Sequence, residues 1–434
     1  MKKIIAGVLA LTLVCGFIPF NNNITDKYTV YAQGETAEYT EGTYGVLYYK
    51  NHGDYIEITG CDTTVINVEI PSEIDGVAVT KIGNFAFGEC EALTSVTIPE
   101  SVTSIGDDAF RYCKFLTSVT IPDSVTSIGD DVFSLCYALI SINVSEANDY
   151  YSSVDGVLFN KDITAIIKYP AGKTDTEYII PDSVTNIDVS AFESCKTLTS
   201  ITFPNGVTSI GEYAFAGCES LTSVTIPNGV TSIEKSAFGV CKNLTSVTIP
   251  NSVTRIRKLA FAYCEALTSI TIPDSVTYID LYAFFKCNTL TSVTIENPNC
   301  TISDSALTIS NKDNKDYEFN GTIYGYENST AQAYAEKYNR KFVSLENAPT
   351  DTPTLPLGDI NGNNIVDSSD ASNVLAVYAL VSTGKESGLT AEQKTAADVN
   401  GDGVIDAADA SLILAYYAHI STGGTGTLED YLKS

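Results

Sequence analysis

Two stretches near the carboxyl end set oxygen-bearing residues at the spacing a hard cation needs. The first runs Asp359-Ile-Asn-Gly-Asn-Asn-Ile-Val-Asp-Ser-Ser-Asp370, and the second, 39 residues on, runs Asp398-Val-Asn-Gly-Asp-Gly-Val-Ile-Asp-Ala-Ala-Asp409. Calcium takes about six to eight oxygens, and loops of this length deliver them from positions 1, 3, 5, 7 and 12, with position 9 acting through water. Loop one offers Asp359, Asn361, Asn363, the carbonyl of Ile365, and Asp370; loop two offers Asp398, Asn400, Asp402, the carbonyl of Val404, and Asp409. Asp367 and Asp406 occupy position 9. Gly403 permits the sharp turn at position 6, where loop one has Asn364, the next residue best able to take that conformation. Two Ca2+ ions are therefore expected, the first held more weakly because loop one has one carboxylate fewer.

Other chemistry has little to work with. The chain has no Trp, one Met and two His, which are His52 and His419, far apart in sequence. Neither histidine has the company a nucleophilic triad requires. Glycoside hydrolysis needs two carboxyl groups about 5–10 Å apart in a cleft, and the acidic residues here lie on a regular repeat. No catalytic residues are assigned. Eleven cysteines remain, eight of them evenly spaced.

The two loops need elements to hold them. Each opens a near-identical helix, Asp370-Ala-Ser-Asn-Val-Leu-Ala-Val-Tyr-Ala and Asp409-Ala-Ser-Leu-Ile-Leu-Ala-Tyr-Tyr-Ala, and each helix ends in Ser-Thr-Gly, with Gly384 and Gly423 suited to a C-cap. A Pro/Thr linker, residues 347–357, precedes them, and residues 425–434 read as a short polar tail. The pair of loops and helices over residues 358–424 resembles a type I dockerin, with Asp rather than the bidentate Glu of an EF-hand at position 12. The resemblance implies a small all-α, calcium-dependent module that docks onto a cohesin domain of a cellulosome scaffold. In that family positions 10 and 11 set partner choice; here they are Ser368/Ser369 and Ala407/Ala408. Where the family often carries Lys or Arg, this chain has Leu375/Ala376 and Leu414/Ala415, which implies a more apolar contact and a different cohesin class.

The middle of the chain is one unit copied eight times. Phe87, Phe110, Phe133, Phe192, Phe215, Phe238, Phe261 and Phe284 recur every 23 residues, as do Cys90, Cys113, Cys136, Cys195, Cys218, Cys241, Cys264 and Cys287, with a single interruption of 36 extra residues before Cys195. Leu93-x-x-Val96-x-Ile98 buries three apolar residues, and Pro99 ends the strand by lacking a ladder donor. One such coil cannot bury its own apolar edge, whereas coils stacked about 4.8 Å apart can. Eight coils then extend roughly 40 Å. The motif Ile-Pro-x-Ser-Val-Thr-x-Ile-Gly-x-x-Ala-Phe-x-x-Cys-x-x-Leu, over roughly 77–295, resembles the BspA-like bacterial leucine-rich repeats. That resemblance implies a mainly β, right-handed leucine-rich-repeat solenoid with end caps. The interruption, an inserted hairpin at about 145–180, turns at Asp155-Gly156.

The expected boundaries are a signal peptide at 1–32, a β cap at 33–74, the solenoid at 75–346 with a carboxyl-terminal cap at 296–346, and then the linker, dockerin and tail. In the second cap, Ser329-Thr-Ala-Gln332 is a capping box that starts a helix from Thr330 to Tyr338, before a strand around Phe342–Leu345. The cysteine column admits disulfides in a secreted chain. Parallel side chains about 4.8 Å apart instead suit buried free thiols, and Cys61 and Cys300, one per cap, are too distant to pair with each other.

Solvent-facing hydroxyls flank each buried strand residue, from Ser95/Thr97 to Ser292/Thr294. They make either a face for a glycan or protein partner or simply a well-paired sheet. The more variable positions after the Gly, with a basic spot at Arg255, Arg257 and Lys258, give the surface its individuality.

Lys2, Lys3, the apolar run Ile4–Phe20 and Val30-Tyr31-Ala32 read as a secretory signal, while Cys15 follows Val14, too large for the usual lipobox. Its removal takes away three Lys against Asp26, moving the net charge from −28 to −30. Such a field repels nucleic acid and anionic lipid, so neither nucleic acid nor membrane is an expected partner. The reading is a non-catalytic secreted accessory protein, extracellular on a cell-surface cellulosome, with a cohesin at one end and an unknown protein or glycan at the solenoid. A cellulosomal glycoside hydrolase and a free-standing adhesin are the alternatives; the adhesin would need a sorting signal or a terminal span.

Overall fold

The structure, a computed structural model, describes residues 39–305, 307–311, 319–345, 355–362, 365–383, 387–401, 403–422 and 424–432. The segment read as a secretory signal, most of the residues read as a linker, Asn363, Asn364, Asp402, Gly384 and Gly423 lie outside them.

The first strands form a cap. Thr40–Tyr44, Leu47–Asn51 and Ile56–Cys61 run antiparallel, and Ile56–Cys61 then pairs in parallel with Val77–Ile82. From there the chain coils, with two parallel ladders climbing the solenoid on different sides. One stacks Val77–Ile82, Ser104–Ile105 and Ser127–Ile128; the other stacks Asn67–Glu69, Ser95–Thr97, Ser118–Ile121 and Ser141–Val144. Partners such as Ser223 and Ser246 are one repeat apart, so the sequence period is the rise of one coil.

The third side is a turn with a fixed backbone recipe. Two residues before and two after most repeat phenylalanines take left-handed φ, as Asp108 (54°) and Tyr112 (63°) do around Phe110. A residue with a Cβ pays roughly 1 kcal/mol for that conformation. Bonds between coils offset it, for the Phe87, Phe215 and Phe261 N–H groups donate to Ala109, Ala237 and Ala283 one coil on, at 2.7–2.9 Å.

Inside, the phenylalanines stack ring on ring, with centroids 5.1 Å apart from Phe87 to Phe110 and 5.3 Å from Phe215 to Phe238, nearly parallel in both pairs. The cysteines fill the gap beside them. Cys113, Cys136 and Cys218 donate to the carbonyls of Phe87, Phe110 and Phe192 at 3.1 Å, each on the preceding coil. All ten described cysteines are free and buried. Burial pushes the thiols of Cys195, Cys241 and Cys287 up to about 12, which leaves them unreactive.

The interruption is only partly extra chain. Tyr151–Val154 and Val157–Asn160 form a hairpin turning at Asp155 and Gly156, with φ of 50° and 78°. Beyond it, Tyr169 takes the phenylalanine position, stacked 5.2 Å from Phe192, and its carbonyl faces Cys195 at 3.9 Å. A degenerate coil thus precedes Phe192, and the long segment between Phe133 and Tyr169 separates two apolar cores.

Helix α1, Thr330–Lys337, closes the far end, with Ser329 accepting from the Gln332 N–H, before the last strand, Lys341–Ser344.

The carboxyl-terminal module has its own core of Ile360, Val374, Val399, Ile413 and Leu428. Its helices are α2 (Ser368–Ser382), α3 (Ala391–Ala397), α4 (Ala407–Ser421) and α5 (Leu428–Leu432). Two of these depart from the sequence reading. Thr390 and Gln393 form a capping box that starts α3 between the loops. The residues read as a polar tail supply α5, because Leu428 is buried in the core and Tyr431 lies against Tyr416.

Candidate calcium and docking site

Both loops are wired alike around their last residue. In loop one the Asp370 carboxylate accepts from the N–H groups of Ile360 (3.0 Å), Asn361 (3.2 Å) and Asp367 (3.1 Å). In loop two Asp409 accepts from Asn400 (3.1 Å) and Asp406 (2.9 Å). The first residue of each loop pins the turn: Asp359 accepts from the Gly362 N–H and Asp398 from the Gly403 N–H, both at 2.8 Å. Gly362, Gly401 and Gly403 have φ of 72–83°, the left-handed region where a side chain is strained.

Position 9 has a second task that the spacing alone did not reveal. Asp367 and Asp406 cap α2 and α4, accepting from Ser369 N–H (2.7 Å) and Ala408 N–H (2.6 Å). The helices therefore begin two residues before Asp370 and Asp409, inside the loops, so the candidate cation loop and the helix start share one geometry.

Asp359, Asp370 and Asp409 are completely buried. Burial raises the Asp370 carboxyl above the ordinary carboxylate range; the Asp367 and Asn361 N–H groups pull it back, and the charge of Asp359 raises it again. Two inward carboxylates with a mixed oxygen shell suit a hard divalent ion such as calcium. Among the described residues no three His, Cys, Asp or Glu side chains converge as a ready metal cluster. The shell expected from the spacing would instead mix carboxylates with Asn361, Asn400 and carbonyls, and its position-5 members, Asn363 and Asp402, lie outside the described residues. The side chains of Ile365 and Val404 point outward, 60% and 56% exposed.

All eight residues that the resemblance assigned to partner contact are exposed: Ser368, Ser369, Leu375 and Ala376 on α2, and Ala407, Ala408, Leu414 and Ala415 on α4. The structure extends this set. Leu375, Tyr378 and Val381 lie exposed along α2, and Leu414, Tyr417 and Ile420 repeat them on α4. The 39-residue offset points to these pairs and also separates Tyr417 from Tyr416. Tyr416 matches the buried Val377, and its hydroxyl donates to the Gly426 carbonyl at 2.9 Å, so it belongs to the module's interior edge rather than its face.

On the solenoid, strands such as Ser95–Thr97 and Ser223–Thr225 expose both flanking hydroxyls around a buried Val. The neighbouring threonines turn inward to the backbone, as Thr245 does to the Thr222 carbonyl at 3.0 Å. The basic spot is partly neutralised: Arg257 lies 3.8 Å from Glu234, and Lys258 sits over the Tyr282 ring. No helix among the described residues is long and apolar enough to cross a membrane.

Sequence profiles of known families match two parts of the chain. The BspA type leucine rich repeat region matches in six copies over residues 61–172 and 171–291, and the dockerin type I domain matches residues 357–416. No curated protein matches. Among solved structures, the pneumococcal vaccine antigen PcpA is similar at 22% identity over 68% of this chain and 71% of that one, with a TM-score of 0.48. A leucine-rich repeat protein from Eubacterium ventriosum is similar at 26% identity over 58% and 85%, with a TM-score of 0.43. One from Bacteroides ovatus is similar at 24% over 73% and 79%, also with a TM-score of 0.43.

Proposed function

This chain belongs to the BspA-type leucine-rich-repeat family and carries a type I dockerin domain at its carboxyl end, and from that premise we propose that it is a non-catalytic extracellular accessory protein. Its dockerin docks onto a cohesin domain of a scaffold protein, as in a cellulosome, and its solenoid presents a second partner, a protein or glycan, to that assembly. Leucine-rich-repeat and dockerin domains are non-catalytic, and type I dockerin domains bind calcium.

The observation that carries the reading is the coupling of buried loop carboxylates to helix starts. Two calcium ions would be held, one by Asp359, Asn361, Asn363, the Ile365 carbonyl and Asp370, the other by Asp398, Asn400, Asp402, the Val404 carbonyl and Asp409. Asp367 and Asp406 would act through water while capping their helices. Bound calcium supplies the positive charge that lets these carboxylates stay buried and ionised. Asp370 and Asp409 then fix the loop backbone against α2 and α4, and that fixes the spacing of Leu375, Tyr378 and Val381 relative to Leu414, Tyr417 and Ile420. Such an apolar set, with Ser368/Ser369 at the start of α2 and Ala407/Ala408 at the start of α4, suits a partner with a largely apolar contact surface.

The test is binding of the full chain to a panel of cohesin domains with calcium and with chelator. The expected result is binding to at least one cohesin that chelator abolishes and added calcium restores. Binding that survives chelation, or none to any cohesin, overturns the proposal.

A further inference from the structure

The cysteine column changes character at its first member. From Cys113 to Cys287 each thiol donates to a carbonyl on the coil before it. The partial coil before Cys90 carries no repeat phenylalanine. Its neighbour is Cys61, the last residue of the cap strand Ile56–Cys61, and the two sulfurs stand 2.6 Å apart. Both side chains are buried, at 7% and 1% exposure. The spacing from Cys61 to Cys90 is 29 residues rather than 23, so Cys61 does not approach by coil translation, the relation that keeps the other side chains parallel.

We propose that Cys61 and Cys90 form a disulfide that staples the amino-terminal cap to the first coil. A bonded pair sits about 2.05 Å apart, so closing the remaining gap requires only a small movement of two side chains. The oxidant is a disulfide compound, of protein or small-molecule type. The Cys90 thiolate attacks one of its sulfurs, forming a mixed disulfide and expelling the other sulfur as thiolate. The Cys61 thiolate then attacks the Cys90 sulfur, making the Cys61–Cys90 bond and breaking the mixed disulfide. The oxidant leaves with two electrons, and the two cysteine protons pass to its two thiolates. Both sulfurs become inaccessible once the cap is seated, so the exchange precedes or accompanies cap docking.

The bond has a structural purpose. Parallel solenoids fray from their ends, and the cap is what shields the first coil's apolar edge. The closed loop spans the strands Asn67–Glu69, Glu73–Ile74 and Val77–Ile82, the whole transition from antiparallel cap to parallel coil.

The experiment uses the full chain refolded from denaturant in a mixture of oxidised and reduced glutathione, so that the thiols meet the oxidant before the cap docks, then denatured in an alkylating reagent without reductant, digested and mapped by mass spectrometry. The expected result is a linked pair of peptides containing Cys61 and Cys90, lighter by two hydrogen atoms than their sum, with Cys113 to Cys287 alkylated. Alkylation of both Cys61 and Cys90, or linkage of Cys90 to Cys113 instead, overturns the proposal. Mapping on the unaltered chain does not depend on any variant folding. As a second measurement, reductant lowers the solenoid's thermal midpoint by about 5 °C in the native sequence and not in Cys61→Ala. Equal shifts in both count against the staple. Neither readout involves a cohesin, so the outcome is independent of the docking proposal.

Discussion

Solenoid and dockerin are both built by duplication, yet they bury opposite kinds of group. A solenoid coil buries Phe, Leu, Val, Ile and a thiol, and what it leaves unsatisfied is satisfied by the next coil. The dockerin repeat buries carboxylates, and Asp359, Asp370 and Asp409 are held by backbone N–H groups of their own loops rather than by a neighbouring repeat. Copying an apolar coil therefore adds stability with each copy, whereas copying an acidic loop, on the proposed reading, adds a requirement for a cation. Duplication would then make one region that stands by itself and another whose order is conditional, as a reversible tether needs.

The largest expected effect breaks that symmetry directly. With calcium at a thousandfold excess over its Kd, each ion contributes about 4 kcal/mol to the fold that binds it. Chelation is therefore expected to abolish the thermal transition of residues 358–432 and the helical signal of α2 and α4. The strand signal and the melting of the solenoid are expected to stay where they were. Calorimetry and circular dichroism with and without chelator measure both, and a dockerin transition indifferent to chelation means the buried carboxylates are satisfied without the ion.

The converse test injures the solenoid alone. Phe215 is stacked between Phe192 and Phe238 at 4.9 and 5.3 Å and is fully buried. Phe215→Ala removes both stacks and leaves a cavity that neighbouring coils cannot close, an expected loss of about 3–5 kcal/mol. Denaturant melting of the full chain should show the solenoid transition moving and the dockerin's calcium-dependent transition fixed. If both move, the two regions are energetically coupled.

How far these contrasts were legible in the sequence depends on whether spacing or register defined them. The phenylalanine and cysteine columns were legible because each contact is one repeat long. Tyr169 was hidden because its coil is stretched by the hairpin, and a tyrosine stands where the pattern has phenylalanine. Cys61 was hidden for a related reason: its contact with Cys90 comes from antiparallel cap strands, which obey no 23-residue rule. In the dockerin, ligand positions were readable from the loop itself, but the capping role of Asp367 and Asp406 needed backbone geometry. Helix α5 was hidden by a polar composition in which only two residues, Leu428 and Tyr431, carry the packing.

A smaller effect sharpens the comparison between the dockerin's own halves. Leu375, Tyr378 and Val381 match Leu414, Tyr417 and Ile420, but Ser368/Ser369 correspond to Ala407/Ala408, so the two halves are chemically unequal. Leu375→Asp and Leu414→Asp place a charge on an exposed position, leaving calcium-dependent folding intact. Each should weaken cohesin binding, by roughly 1–2 kcal/mol where that leucine is at the centre of the contact. Unequal losses in a binding titration identify the half that dominates; equal losses indicate that both halves are engaged alike.

The smallest expected effect lies at the seam between the solenoid's two cores, where the regular coil is interrupted. A cleft of about 310 Å³ opens there, bordered by Asp130, Asp131, Tyr151, Lys168 and Asp188. Partial burial, helped by the charge of Asp130, pushes the Asp188 carboxyl up to about 6. A raised carboxyl stabilises the fold while it is protonated, so its contribution is complete below the unfolded value of about 3.9 and is lost as pH rises through about 6. Asp188 remains partly solvated, so screening limits the effect to about 1 kcal/mol. Asp188→Asn mimics the protonated form at every pH. The variant and the native chain should therefore melt together near pH 4, and the variant should become the more stable of the two as pH rises to 7. A gap that stays constant across that range would trace the difference to packing at the seam. A gap that opens on schedule would mark the interruption as a place where the solenoid buries charge at a cost.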